Sequence, residues 1–404
     1  MDMGLFLVIL FIVAAVLRVD FFFYILYVFL AVYLLSRLWV SRALRQVKVK
    51  RRLDSHAFWG EQLPVRVEVS NDGLLPVPWL QLQETLPQPL AFPPVRSLAV
   101  SLWPHEKASL SYTLDCRKRG YYHIGPLRLA SGDLLDTVSR SFSEQGMASL
   151  IVYPRLLPLE DLGIPSRSPF GSIKRNTAIH RDPARVAGVR DYRPGDSLRH
   201  INWKTSAARG SLQTKVFDPV ISLDTAVFLD LERGHYEPSH AITTTELAIS
   251  VAASILAQLA RQRQPFSLIA NGRDPLAEAD ASDGAGESGR ASTGPSLPMR
   301  SGQAHLVTVL EALGRIDNRE VEPFAAMIQR EMVRLPWGCT VVIVSGNGEG
   351  LLGHALRLER SGFNVVVVLV DYHSDLRRHS HELEMAGATV YRLGQRQELT
   401  RMKV

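Results

Sequence analysis

Two apolar runs at the amino end constrain this chain more than any other feature. Met3 to Leu17 contains no charged residue, Arg18-Val19-Asp20 interrupts it, and Phe21 to Leu35 is a second run rich in Phe, Tyr and Leu. A helix needs about 20 residues to cross about 30 Å of hydrocarbon. Each run is slightly short alone, but flanking residues extend it, since Trp39 suits the interface and Arg37 can snorkel to water. A single tilted helix through both runs would bury Arg18 and Asp20, which is costly. A cleaved signal peptide would need a basic start and a small-residue cleavage site, whereas this chain begins Met1-Asp2-Met3 and meets a second apolar run at once. The expectation is a transmembrane α-hairpin over 1–40 with a tight turn at Arg18.

Charge sets the orientation. The 404 residues carry a formal net charge of +6, from 46 basic and 40 acidic side chains. An excess of this kind could serve nucleic acid, but its largest cluster lies beside the hydrophobic runs. From Ser36 to Leu53 there are seven basic residues (Arg37, Arg42, Arg45, Lys48, Lys50, Arg51, Arg52) and no acidic one. Positive charge stays on the cytoplasmic side and can also touch anionic head groups. Both termini are therefore expected in the cytoplasm of a cytoplasmic-membrane protein, with no nucleic-acid partner. Two cysteines, Cys116 and Cys339, make no disulfide framework and suit a reducing compartment.

The remainder divides by period. Over 41–155 apolar residues alternate, as at Val65, Val67 and Val69 or Leu110, Tyr112 and Leu114, with turn clusters such as Asn71-Asp72-Gly73 between the runs. That pattern predicts an antiparallel, immunoglobulin-like β-sandwich, read as a spacer or docking surface. Residues 156–222 form a separate segment, polar, basic and irregular from Ile164 to Asp218. From 223 to 404, buried strands at Thr225–Leu231, Pro265–Ala270, Thr340–Ser345, Asn364–Asp371 and Thr389–Leu393 alternate with helices at Thr243–Ala260, Gly350–Ser361 and Leu376–Ala386. This predicts an α/β domain with a doubly wound parallel sheet. The Ala/Ser/Gly/Asp-rich stretch 272–303 is expected to be a disordered insertion.

One segment is distinctive. It runs from His180 through Arg185, Arg190, Tyr192-Arg193-Pro194-Gly195-Asp196, Arg199, Ile201-Asn202-Trp203-Lys204 and Ala208-Arg209-Gly210 to Lys215. Pro194-Gly195 sets a turn, and Asp196 can cap the residues after it or pair with Arg190 or Arg199. Trp203, with an indole N–H that wants a partner, is expected to anchor the segment to the domain body. Arg185, Arg190, Arg193 and Arg199 fit an internal clamp, or a surface that recognises an acidic partner, a phosphate or a carboxylate. The segment closely resembles the signature of the bacterial family called domain of unknown function 58, which pairs a Tyr-x-Pro-Gly-Asp turn with Ile-x-Trp-Lys and Ala-Arg-x-Gly. The resemblance extends to the hairpin, the sandwich and Arg119-Gly120-Tyr121. It implies a von Willebrand factor A-like fold for the C-terminal domain and a MoxR-type AAA+ ATPase as partner, with no enzymatic activity established for the family.

The same resemblance raises a metal question. Von Willebrand A domains often hold Mg²⁺ through Asp-x-Ser-x-Ser after the first strand, and Mg²⁺ wants octahedral oxygen ligands. Here the matching stretch is Asp230-Leu231-Glu232-Arg233-Gly234. Asp230 and Glu232 keep oxygens while both hydroxyl positions are replaced, so the site is degenerate. A separate alternative is a nucleotide-binding enzyme: Gly348, Gly350 and Gly353 spell G-x-G-x-x-G after an apolar strand, with Asp371 ending the next one, the spacing of a dinucleotide-binding unit. Against it, that strand comes late and need not border the crevice where strand order reverses. His379 and His381 are two apart on a helix and make a poor ligand pair. Cys116 beside Arg117 and Arg119 could have a lowered pKa, though no catalytic partner is assignable. The chain is expected to be a non-enzymatic, membrane-anchored scaffold or adaptor without a cofactor.

Overall fold

The computed structural model describes residues 3–17, 20–132, 139–144, 146–160, 164, 181–194, 196–219, 224–276, 294–348, 350–370 and 376–393. The chain divides into two compact units, Met1–Arg155 and Leu156–Val404.

The first unit begins with helices α1 (Met3–Leu17) and α2 (Asp20–Leu44). The Phe6 ring meets the Phe29 ring edge-on at 5.5 Å, so the two helices lie side by side. No glycine or proline interrupts α2, which continues well beyond Leu35. Its 25 residues are long and apolar enough to cross a membrane, and only 6% of its most apolar stretch is buried. Its last turns change role: Val40, Ala43 and Leu44 are buried against Val67, Val69, Leu80 and Leu82 of the β-structure.

Ten strands follow: β1 (Val47–Arg52), β2 (His56–Ala57), β3 (Gln62–Asn71), β4 (Val77–Thr85), β5 (Val95–Leu102), β6 (Lys107–Asp115), β7 (Gly120–Ile124), β8 (Leu127–Gly132), β9 (Ser139–Glu144) and β10 (Ala148–Val152). They form sheets of order β1-β3-β6, β2-β10-β7 and β5-β4-β8-β9. Side chains alternate across a strand, and β3 buries Leu63, Val65, Val67 and Val69 while exposing Pro64 and Arg66. Leu63 and Val65 share a second core with Leu114, Cys116, Ile124, Leu150 and Val152. Burial pushes the Cys116 thiol up to about 11. The shift is upward because the apolar core around the sulfur disfavours the thiolate, with the charges of Glu61 and Asp115 adding to it.

The second unit holds strands β11 (Arg181–Asp191) and β12 (Gln213–Pro219), paired antiparallel around helix α3 (Trp203–Arg209). Among the described residues of the segment read as irregular, 181–191, 203–209 and 213–219 thus carry regular structure. The central sheet contains β13 (Thr225–Leu229), β14 (Phe266–Ala270), β16 (Ser296–Arg300), β18 (Thr340–Ser345), β19 (Asn364–Val370) and β20 (Thr389–Leu393), in the order β16-β14-β13-β18-β19-β20. A short β15 (Gly272–Arg273) pairs separately with β17 (Asp317–Glu320). Five of the six central strands are parallel; β16 is antiparallel to β14.

Helices α4 (Ala241–Arg261), α5 (Gln303–Arg315), α6 (Phe324–Met332), α7 (Leu351–Arg360) and α8 (Leu376–Met385) complete the unit. On one face α6, α7 and α8 pack Phe324, Ile328, Ala355, Leu358 and Leu383 against Phe228, Ile343 and Val367. The other face is covered by α4, which lies against β13, β14 and β18 and carries α5 beside it. Helix α4 is also apolar and long enough to cross a membrane, but 72% of that stretch is buried inside the unit. The expected disordered insertion is shorter than 272–303, since Gly272 is buried and Ser296–Arg300 closes the sheet. Residues 277–293 of it lie outside the described residues. Leu297 and Met299 alternate at a strand's period, a signal the surrounding Ser, Pro and Gly obscured.

Candidate functional site

Numbered within the central sheet, the strands run 3-2-1-4-5-6, so the order reverses between β13 and β18. Ligand crevices in open α/β sheets form at this place, beyond the carboxyl ends of the strands. Asp230 follows β13 and Ser345 ends β18, and both are fully buried. The sequence expectation that β18 need not border this crevice is therefore corrected: it pairs directly with β13.

The carboxylate of Asp230 is turned inward. Its Oδ1 accepts the Glu232 N–H at 3.0 Å, and its Oδ2 accepts from His235 Nδ1 and from Ser345 Oγ, both at 2.6 Å. The hydrogen bond to Asp230 raises the His235 pKa above its usual value; desolvation opposes this, while the charges of Asp230 and Glu232 add to it. The Tyr236 hydroxyl donates to the Asp230 carbonyl, and buried Asn271 accepts the Leu231 N–H at 2.7 Å. Gly346 permits the close packing here, because a Cβ would lie 2.5 Å from the Tyr236 ring.

Ligand atoms of Asp230, Glu232 and His235 lie within 4.8 Å of one another. They do not fit Mg²⁺, which requires six oxygens in near-ideal array. Asp230 spends its oxygens on three donors, Glu232 Oε2 accepts the Phe324 N–H at 2.9 Å, and an imidazole drawn toward its charged form occupies the remaining side. Sequence reading found Asp230 and Glu232 and placed Ser345 at the end of its strand, but missed His235, which meets Asp230 only in the folded sheet.

The glycine-rich turn also departs from a nucleotide cradle. Gly350 adopts φ +86° at the start of α7, as a tight turn requires. A Cβ on Gly348 would lie 2.6 Å from His379 Cβ, so α8 already fills that space. Gly353 is exposed with nothing near its Cβ position, whereas the third glycine of the pattern normally serves close helix–strand packing. Asp371 lies outside the described residues.

The signature segment combines a clamp with an open surface. Arg190 Nη2 donates to Asp196 Oδ1 at 2.6 Å, and the Arg193 N–H donates to Asp196 Oδ2 at 3.0 Å. These bonds, the Arg190 contact first, hold the Asp196 carboxyl below its ordinary range. The Tyr192 N–H donates to the Leu212 carbonyl at 2.8 Å. Asn202 caps α3 by accepting the Thr205 N–H at 3.3 Å, and Gly210 ends it in the left-handed region.

Trp203 does not anchor the segment as expected: it is 68% exposed. It stands at the first position of α3, and the neighbouring Ile201 and Ser206 take the inner face instead. Leu198 and Leu212 are exposed as well, as are Arg193, Arg199 and Lys204. Arg185 lies on β11, and Gly195 is outside the described residues. Arg190 and Asp196 thus serve the clamp, while Arg199, Trp203 and Lys204 face outward.

Comparison with known proteins bears on this half of the chain. Residues 188–375 match the model of a family described as protein of unknown function DUF58. The uncharacterized protein YeaD of Bacillus subtilis (strain 168) is 27% identical over 269 residues, covering 64% of this chain and 65% of that protein, just under two thirds of its length. Among solved structures, the CARDB domain of the PF1109 protein from Pyrococcus furiosus aligns with 26% of this chain and 86% of its own, at 18% identity and a TM-score of 0.20. A β-glucosidase from Listeria innocua aligns with 26% of this chain and 16% of its own, at 13% identity and a TM-score of 0.17. Likenesses at these scores carry no argument about this chain.

Proposed function

Because the chain belongs to the DUF58 family, whose function is unknown, we propose that it is a membrane-anchored, non-enzymatic adaptor that docks a protein partner through the signature segment. The observation that carries this reading is Trp203, exposed beside Arg199 and Lys204 on a segment locked by Asp196. Trp and Arg dominate the energetics of protein interfaces, and leaving an indole in water on a pre-organised frame is favourable for binding rather than for folding. The basic neighbours select an acidic partner surface. A MoxR-type AAA+ ATPase is the partner that the family resemblance implies.

Other features support the parts of this reading. A sheet of order 3-2-1-4-5-6 with an antiparallel third strand, and an aspartate at the end of its first strand, agree with a von Willebrand A-like domain. The side-by-side packing of α1 and α2 and the basic run after α2 agree with a two-helix anchor that leaves both ends in the cytoplasm. The non-enzymatic reading is supported by Asp230, His235 and Ser345 being engaged with one another. The test is affinity capture from cross-linked, solubilised membranes with wild-type and Trp203→Ala chains. Recovery of an AAA+ ATPase by wild type and its loss with the variant is the expected result; equal recovery by both would rule out this surface.

A further inference from the structure

We propose that the end of the first unit nearest α2 is a lipid-binding face, in which the turns carrying Leu74 and Trp103 insert into the bilayer surface and an acyl chain of the adjoining leaflet lies in the groove between them and α2. This inference rests on α2 being a membrane span and adds a second membrane contact, made by the β-structure.

The groove is a cavity of about 670 Å³ lined by Val32, Leu35 and Trp39 of α2 and by Pro76, Leu102 and Trp103 of the sandwich. Its position is fixed by the helix. Twenty residues of α2 counted from Asp20 reach about Trp39 and cover about 30 Å of hydrocarbon. Sandwich residues packed beside Leu35 and Val32 therefore stand about 6–10 Å inside the hydrocarbon edge at Trp39. The sandwich has no linker that would let it swing away, since Val40, Ala43 and Leu44 of the same helix are part of its core. The Trp39 Nε1–H donates to the Pro76 carbonyl at 3.1 Å, tying the helix to the turn that precedes β4.

The two turns are built to present apolar tips. Asn71 is fully buried, and its amide nitrogen donates to the carbonyls of Leu75, Leu102 and Trp103 at 2.9–3.3 Å, which binds both turns to one side chain. Held this way, Leu74 is 80% exposed and Trp103 is 68% exposed. Two large apolar groups kept rigidly in water beside a membrane helix gain by entering the interface, where tryptophan is at its most stable. Shallow insertion of about 5–10 Å is the depth at which interfacial elements bind. The exposed Arg42 and Arg45 nearby suit an anionic leaflet.

The test uses the full-length chain reconstituted in phosphatidylcholine–phosphatidylglycerol vesicles. Leu74→Cys and Trp103→Cys receive a thiol-linked fluorophore; the two native cysteines are buried. Leu30→Cys in α2 reports the bilayer, and Phe92→Cys, 93% exposed beyond the other end of β5, reports water. With lipids bearing spin-label quenchers at a shallow and at a deep acyl position, position 30 is expected to lose fluorescence to the deep quencher and positions 74 and 103 to the shallow one, as shallow insertion requires. Loss at position 30 with none at 74 and 103 beyond that at 92 overturns the lipid-binding face and leaves the span standing, with the groove then facing water or a protein. No loss at any of the four positions overturns the span and this face together. Thermal melts of the two labelled variants, superimposable on wild type, establish that folding is intact.

Discussion

His235 places its Nδ1 2.6 Å from the buried Oδ2 of Asp230, at the point where strands β13 and β18 diverge. A proton on the imidazole offsets the buried carboxylate there.

This contact makes the second unit's stability depend on pH. The folded-state pKa of His235 is raised, first through its hydrogen bond to Asp230. Its contribution is therefore fully present below the unfolded value of about 6.5 and is lost as pH rises through the higher folded value. Melting curves between pH 5.5 and 8.5, endpoints chosen to bracket about 6.5, are expected to show wild type losing stability with rising pH more than His235→Gln does. Parallel pH profiles for the two would contradict the pairing.

Magnesium is expected to change nothing at this crevice. The Asp230 and Glu232 oxygens already accept hydrogen bonds from within the fold, so millimolar Mg²⁺ should not shift the melting temperature. A saturable rise, abolished by Asp230→Asn, would restore the metal reading.

Core and surface aromatics are expected to behave in opposite ways. Phe228 is fully buried against α6 and α7, and Phe228→Ala should cost about 3–5 kcal/mol of unfolding free energy. Trp203→Ala should change stability by no more than about 0.5 kcal/mol, the range of exposed positions, yet weaken partner binding by about 30-fold, as loss of an interface anchor does. Denaturant titration and affinity measurement on the same two proteins separate the effects.

Asp196 is expected to matter through order rather than global stability. Asp196→Ala removes the acceptor for Arg190 and for the Arg193 N–H. Amide exchange should accelerate through 193–201 while the central sheet stays protected. Uniform acceleration across β13 and β18 would instead mean that the clamp supports the whole unit.

Much of this architecture was legible in the residues. Val/Ile/Leu runs buried on both faces marked β13, β14, β18, β19 and β20, and alternation marked β3, because burial periodicity is a local property. What escaped depends on tertiary partners. Strand β16 has only Leu297 and Met299 to signal it, and its partner β14 lies far back in the chain. Helices α5 and α6 carry apolar stripes that gain meaning only against the sheet. At the candidate site, Asp196 has two arginines within reach in the sequence, and the fold selects Arg190. Indoles usually bury, which points Trp203 inward, but that rule does not know that Ile201 reaches the interior first.

The most direct measurement is site-specific photocross-linking from position 203 in intact membranes, using a photoreactive phenylalanine in place of Trp203. A discrete adduct containing an AAA+ ATPase, lost when Arg199→Glu is added, is the result expected of an adaptor that grips an acidic partner here. Absence of any adduct at 203 in a chain that is membrane-bound and folded would contradict a docking role for the signature segment.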